Sequence, residues 1–172
     1  MAETGEIRRA EPADAAAIRT LVDAAYAKWI PLIGRLPTPM RADYAQAVLH
    51  HRFDLLHVRE DLDASEDLAA LIETTQEGDH LLVVNVAVHP AFQGRGYGVR
   101  LLSLAETIAA SAGLPRIRLY TNKKYTANLR LYASLGYRVE REAPYDGPGR
   151  TLDDDITVHM VKAIGATPPH PA

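Results

Sequence analysis

Residues 81–98 read LLVVNVAVHPAFQGRGYG. Leu81 to Val88 is an almost unbroken apolar run with only Asn85 polar, which predicts a buried strand. His89-Pro90 turns the chain, Gln93-Gly94-Arg95-Gly96-Tyr97-Gly98 follows, and Val99 to Ala112 reads as a helix. Strand, glycine-rich turn and helix together suit an anion. Glycines let the backbone approach closely with several N–H groups aligned, and the helix start adds unpaired N–H groups and its positive dipole end. The glycines are spaced G-x-G-x-G, which is not the dinucleotide pattern G-x-G-x-x-G, and no Gly-Lys-[Ser/Thr] follows to make an ATP-type loop. On spacing alone, a tight strand–helix turn without a ligand is also open.

A longer pattern narrows the choice. Gln93-x-x-Gly96-x-Gly98, preceded by Val86-Ala87-Val88-His89-Pro90, resembles the acetyl-CoA signature of the GNAT-type N-acetyltransferases. Downstream, Asn128-Leu129-Arg130-Leu131-Tyr132-Ala133-Ser134-Leu135-Gly136-Tyr137 resembles that family's closing motif, an Asn followed by Leu-Tyr-x-x-x-Gly-[Tyr/Phe]. The two blocks stand in the family's order. The resemblance is good from Leu81 to Glu140, weaker from Ile7 to Tyr26 and poor between. It implies one N-acetyltransferase domain over residues 1–166, and three prolines among residues 167–172 predict a loose tail after it.

Composition sets the outer bounds. A chain of 172 residues with 47% apolar residues suits one domain with one core. The net charge is −3, without a basic block, so no nucleic-acid partner is expected. The absence of cysteine excludes a disulfide scaffold, a cysteine nucleophile and a thiolate metal site. No apolar run approaches the roughly 20 residues of a membrane span, and no signal-like segment opens the chain. A soluble, cytoplasmic protein is expected, without a membrane partner and with no metal.

The remaining elements follow from periodicity and breakers. Glu6 to Ala10 reads as a strand, and Pro12-Ala13-Asp14 opens a helix with Ile18, Leu21, Val22, Ala25 and Tyr26 on one face. Ile30 to Met40 carries Pro31, Gly34, Pro37 and Pro39 and is expected to be neither regular helix nor central strand, though apolar enough to pack against core or substrate. Arg41 to His51 reads as a short helix. Phe53 to Glu60, Leu68 to Thr75 and Leu81 to Val88 read as an antiparallel meander. Strands at Ile117–Thr121, Tyr137–Glu142 and Asp155–Val161 and a helix from Tyr125 to Gly136 complete the order β-α-α-β-β-β-α-β-α-β-β. The fold expected is α+β, one domain with a mixed, largely antiparallel sheet flanked by helices, which is also the order the GNAT resemblance implies.

The resemblance implies acetyl-CoA as co-substrate. Its pyrophosphate would lie on the backbone of Gln93, Gly94, Arg95, Gly96, Tyr97, Gly98 and Val99, with Gly96 and Gly98 leaving space. Its pantetheine arm would borrow hydrogen bonds from Val86, Ala87 and Val88, where the strand splays from its neighbour. Asn128 would bond the arm as well, although the family's Asn more often stands seven residues before the Tyr, where this chain has Tyr125. Tyr132 matches the residue that protonates the departing thiolate. A thiol pKa of about 8.5 makes that a fair leaving group, so the gain is at the moderate end of general-acid effects. With an ordinary pKa of about 10, the phenol would ionise at high pH and the rate would fall there. The general base is open: no carboxylate stands between Leu81 and Val88, and Asp43, Asp79, His80 and His89 are candidates. Trp29, Arg35, Met40 and Tyr44 are expected to line the acceptor pocket.

The function expected is acetyl transfer to the amine of a small molecule by direct attack in a ternary complex, since no cysteine can carry the acetyl group. A non-catalytic acyl-CoA-binding module and a protein or peptide N-acetyltransferase are the alternatives. A homodimer is compatible with the sequence but not demanded by it.

Overall fold

The computed structural model describes residues 5–61 and 63–165. Eleven of the twelve elements stand in the expected order, with α2 added: β1 (Glu6–Arg9), α1 (Ala15–Tyr26), α2 (Ile30–Ile33), α3 (Tyr44–His50), β2 (Arg52–Val58), β3 (Asp67–Glu77), β4 (His80–Val88), α4 (Tyr97–Ser111), β5 (Arg116–Asn122), α5 (Thr126–Ser134), β6 (Arg138–Pro144) and β7 (Ile156–Ala163). The tail expected at 167–172 lies outside the described residues.

The element not foreseen is α2. Pro31 stands in its first turn, where a missing N–H costs nothing, and Gly34 ends it with φ +72°. A second short turn of 3₁₀ helix covers Thr38–Arg41. The prolines therefore divide the segment into single turns without making it irregular throughout. On α5, Tyr132 is the buried residue.

One seven-stranded sheet runs β1-β2-β3-β4-β5-β7-β6. Every neighbouring pair is antiparallel except β4 and β5, which are parallel. Each face carries its own core. Ile18, Leu21, Val22 and Tyr44 of α1 and α3 pack on Phe53, Leu55, Leu71 and Ala87. Leu101, Leu102, Ala105 and Ala109 of α4 pack on Leu56, Ile72, Val83, Ile117 and Leu119 across the sheet.

One irregularity in β4 shapes everything that follows. Glu73 of β3 lies opposite Asn85, but the next residue, Thr74, lies opposite Val83, so Val84 is an extra residue in β4. A bulge of this kind reverses the alternation of side chains and sharpens the twist. Before it, Leu81 and Val83 join the α4-side core; after it, Val86 and Val88 pack there, and Ala87 turns to the α1 side. Pairing between β4 and β5 stops at the same place, with Val83 and Leu119 as the last partners.

Candidate active site

Beyond Val83 and Leu119 the two parallel strands part, and the gap between them opens a passage of about 340 Å³ through the sheet. Asn128 and Tyr132 of α5 line one end, while Tyr26 of α1 and Pro37 to Pro39 line the other. Asn85 and Val86 of β4, and Tyr120 and Asn122 of β5, form the walls. Freed from β5, the end of β4 uses its carbonyls locally: Val86 O accepts from the Tyr26 hydroxyl at 3.3 Å, and Val88 O accepts from Gln93 Nε2 at 3.2 Å. Ala87 is buried in the α1-side core.

The glycine turn stands at the α4 side. Gly94 and Gly96 adopt φ +79° and +82°, and a Cβ at either would meet no protein atom within 4 Å. Both therefore serve the backbone path and leave an open concavity above it. Gly96 caps α4, so the amides of Tyr97, Gly98 and Val99 begin a helix and have no intrahelical acceptor. Gly98 differs: its backbone is ordinary, and a Cβ there would sit 3.8 Å from Val88 Cγ2, a normal contact. The side chains around the turn build it without reaching into it. Tyr97 is buried in the core, and Arg95 lies over the Phe92 ring with a 3.5 Å contact to Glu60. A helix start beneath an open concavity fits a pyrophosphate, so this turn suits the phosphate end of acetyl-CoA.

Tyr132 is 7% exposed and sits edge-on to Tyr137, with ring centroids 6.0 Å apart. No hydrogen bond to its hydroxyl occurs among the described residues, and the hydroxyl is not sealed in protein, so it faces the passage. Burial pushes its pKa up to about 12. Asn128, one turn earlier on α5, lines the same passage.

A family profile described as "Acetyltransferase (GNAT) family" matches residues 18–137, spanning the bulged strand, the glycine turn and α5. The chain belongs to the acetyltransferase (GNAT) family. Among curated proteins, the mycothiol acetyltransferase of Arthrobacter sp. (strain FB24) is 31% identical over 78 residues, 45% of this chain and 23% of that protein. The chain thus spans less than a quarter of that relative's length. The ribosomal-protein-S18-alanine N-acetyltransferase of Escherichia coli superposes with a TM-score of 0.74 at 20% identity, covering 98% of this chain and 99% of that one. The PaiA N-acetyltransferase of Thermoplasma acidophilum, solved in complex with coenzyme A, gives 0.71 at 18% identity, covering 93% and 99%. At these identities the likeness is one of fold.

Of the four acceptor-side residues expected from the sequence, the structure brings Arg35 to the passage lining and Tyr44 to an adjoining cavity. Trp29 stacks on Tyr125, centroids 4.3 Å apart, and so stands behind a lining residue. Met40 packs against the α1-side core, where its carbonyl accepts from Arg19 at 2.7 Å. Arg35 does more than line a wall. Its guanidinium pairs with the buried Asp155 at 2.6 Å and lies 3.4 Å from the Tyr145 ring centroid, and Asn122 Nδ2 donates to the same carboxylate at 2.8 Å. Thr151 Oγ1 donates to Gly34 O at 2.7 Å. The α2 region of this GNAT chain is thereby fastened to the β6–β7 connection.

The four base candidates lie elsewhere or are engaged. Asp79 and His80 sit at the β3–β4 turn, with Asp79 against Arg116 and Arg118. The His89 ring accepts from Ala91 N at 3.1 Å. Asp43 accepts from Gln46 N at 3.2 Å and caps α3. Sequence reasoning missed the network at the bulge: the Tyr26 hydroxyl donates to Asn85 Oδ1 at 2.6 Å, and the Tyr44 hydroxyl donates to Pro39 O at 2.6 Å. It also missed Glu73, which faces Asn85 across the ladder. The polar break at Asn85 in an otherwise apolar run is the signal that points there.

Proposed function

We propose that this chain transfers the acetyl group of acetyl-CoA to the amine of a small molecule, by direct attack within a ternary complex. The observation that carries the reading is the passage through the sheet, with the Tyr132 hydroxyl opening on it from the α5 end and Tyr26 with Pro37 to Pro39 lining the other. Acetyl-CoA would supply an activated acyl group on a sulfur leaving group. The amides of Gly96 to Val99 would hold its phosphates, Asn128 and the freed edge of β4 would orient the arm, and Tyr132 would hold a proton for the departing sulfur. Tyr125, packed against Trp29, would exclude water beside that proton.

A small acceptor is favoured over a protein tail by the fastening of α2 to the β6–β7 connection through Arg35, Asp155 and Thr151. These ties hold the two acceptor-side segments against each other, whereas an extended peptide needs an open groove or a free strand edge. The test is thiol release from acetyl-CoA against a panel of small amines, amino acids and peptides. Turnover with one class of small amine and none with peptides is expected. Turnover confined to peptides would overturn the choice of acceptor, and acetyl-CoA binding without turnover across the panel would make the chain a binding module.

A further inference from the structure

An alkylammonium has no lone pair to attack with, and with a pKa of about 10 it is nearly all protonated at neutral pH. A proton acceptor beside the passage is required, and β4 offers no carboxylate. We propose that Glu73 of β3, backed by His51, is that acceptor. This rests on the acetyl-transfer reading above.

The bulge at Val84 creates the placement. It turns Asn85 and Ala87 to the α1 side of the sheet, and Glu73 stands directly opposite Asn85, two residues on from Leu71 in the same core. Glu73 is 4% exposed. Its Oε1 lies 2.6 Å from His51 Nδ1. No hydrogen bond to Oε2 occurs among the described residues, and that oxygen is not sealed in protein. Glu73 lines a cavity of about 330 Å³ that shares Thr38, Pro39, Val84, Asn85 and Tyr120 with the passage. The two cavities meet along those shared residues, and the proton would cross from the passage to Glu73 through water, as a general base can act through a bridging water. The His51 side chain is 35% exposed and leads the proton on to solvent.

Chemistry and surroundings agree. Burial raises the pKa of Glu73, and the His51 hydrogen bond pulls it back down. Around it stand Tyr44 and His50 of α3, Asp43 at its cap, Arg19 of α1 over the Tyr44 ring, and Tyr120 of β5. Its direct ladder partners, Phe53 and Asn85, are uncharged. Desolvation, then, is what makes Glu73 basic.

The step balances. The ammonium gives one proton through water to Glu73 and on through His51 to solvent. The freed nitrogen lone pair forms the C–N bond, and the C–S electron pair leaves with sulfur. Sulfur takes the Tyr132 proton, and Tyr132 recovers one from the new amide nitrogen. One proton is released per turnover.

The test uses the amine found by thiol release and measures kcat against pH from about 5 to 10, with acceptor KM and melting temperature, for wild type, Glu73→Gln and His51→Phe. Glu73→Gln keeps the shape and a neutral partner for His51. It is expected to lower kcat about 10²- to 10⁴-fold, with acceptor KM little changed and the acid limb of the profile lost. His51→Phe removes the contact that holds the Glu73 pKa down, so the acid limb should move to higher pH. Raised KM at unchanged kcat would make Glu73 a binding group for the ammonium and overturn the proposal. So would an acid limb that neither variant moves, or a loss that tracks the folded fraction. Absence of turnover in the wild type would instead remove the acetyl-transfer reading, and this inference with it.

Discussion

Replacing Tyr132 by Phe removes one oxygen and leaves the ring in place against Tyr137. The hydroxyl bonds to no described residue, so its loss strands no partner, and a stability change within about 1 kcal/mol is expected. The chemical step should suffer more. A well-placed general acid contributes about 10²–10⁴-fold, and a thiolate with a conjugate pKa of about 8.5 leaves fairly well unaided, which argues for the lower part of that range. We expect kcat to fall about 10- to 1,000-fold, with acetyl-CoA affinity nearly unchanged. Burial changes the pH dependence from what an ordinary tyrosine would give. With its pKa pushed up to about 12, the phenol keeps its proton throughout the usable range, so the rate should not decline near pH 10 on its account. The stability linked to this group is whole below the unfolded pKa of about 10 and is lost as pH climbs through the folded value. Melting at pH 8 therefore compares the two proteins without a titration contribution from Tyr132. The assay is kcat, acetyl-CoA titration and melting temperature on one preparation of each protein. An unchanged kcat per folded molecule would refute the general-acid role. A wild-type alkaline limb near pH 10 that vanishes in Tyr132→Phe would refute the elevated pKa.

Two further outcomes follow from the backbone and the buried charge. Gly96→Ala and Gly113→Ala both place a side chain at positive φ with no protein atom nearby, so each should cost about 1–2 kcal/mol in denaturant titration. Calorimetry should show weakened acetyl-CoA binding for Gly96→Ala alone, and equal affinity in both variants would refute the cradle. Arg35→Met leaves the Asp155 carboxylate, 0% exposed, without its cation and with Asn122 as its remaining side-chain donor, which should cost about 3–5 kcal/mol. Adding Asp155→Asn should restore part of that in a thermal melt, and additive losses would show that the two residues act independently.

The sequence by itself determined the order of elements, the single mixed sheet and the strand–turn–helix at Leu81–Gly98. These are local properties: apolar periodicity, proline and glycine breakers, and the spacing of a backbone motif lie within short windows. It also marked Asn128 and Tyr132, which one helix carries a turn apart. The bulge at Val84 escaped it, because LLVVNVAV alternates no differently on paper with an extra residue or without one. The register against β3 decides which face Asn85 takes. Glu73 escaped for a related reason. A lone carboxylate in a strand looks like a solvated residue until the chain folds α3 over it and sets His51, 22 positions earlier, at its oxygen. Tyr132's basicity was likewise invisible, since burial is a property of what packs around a ring. Where a residue's chemistry depends on neighbours distant in sequence, only the tertiary structure decided it, because desolvation and charge act through space and not along the chain.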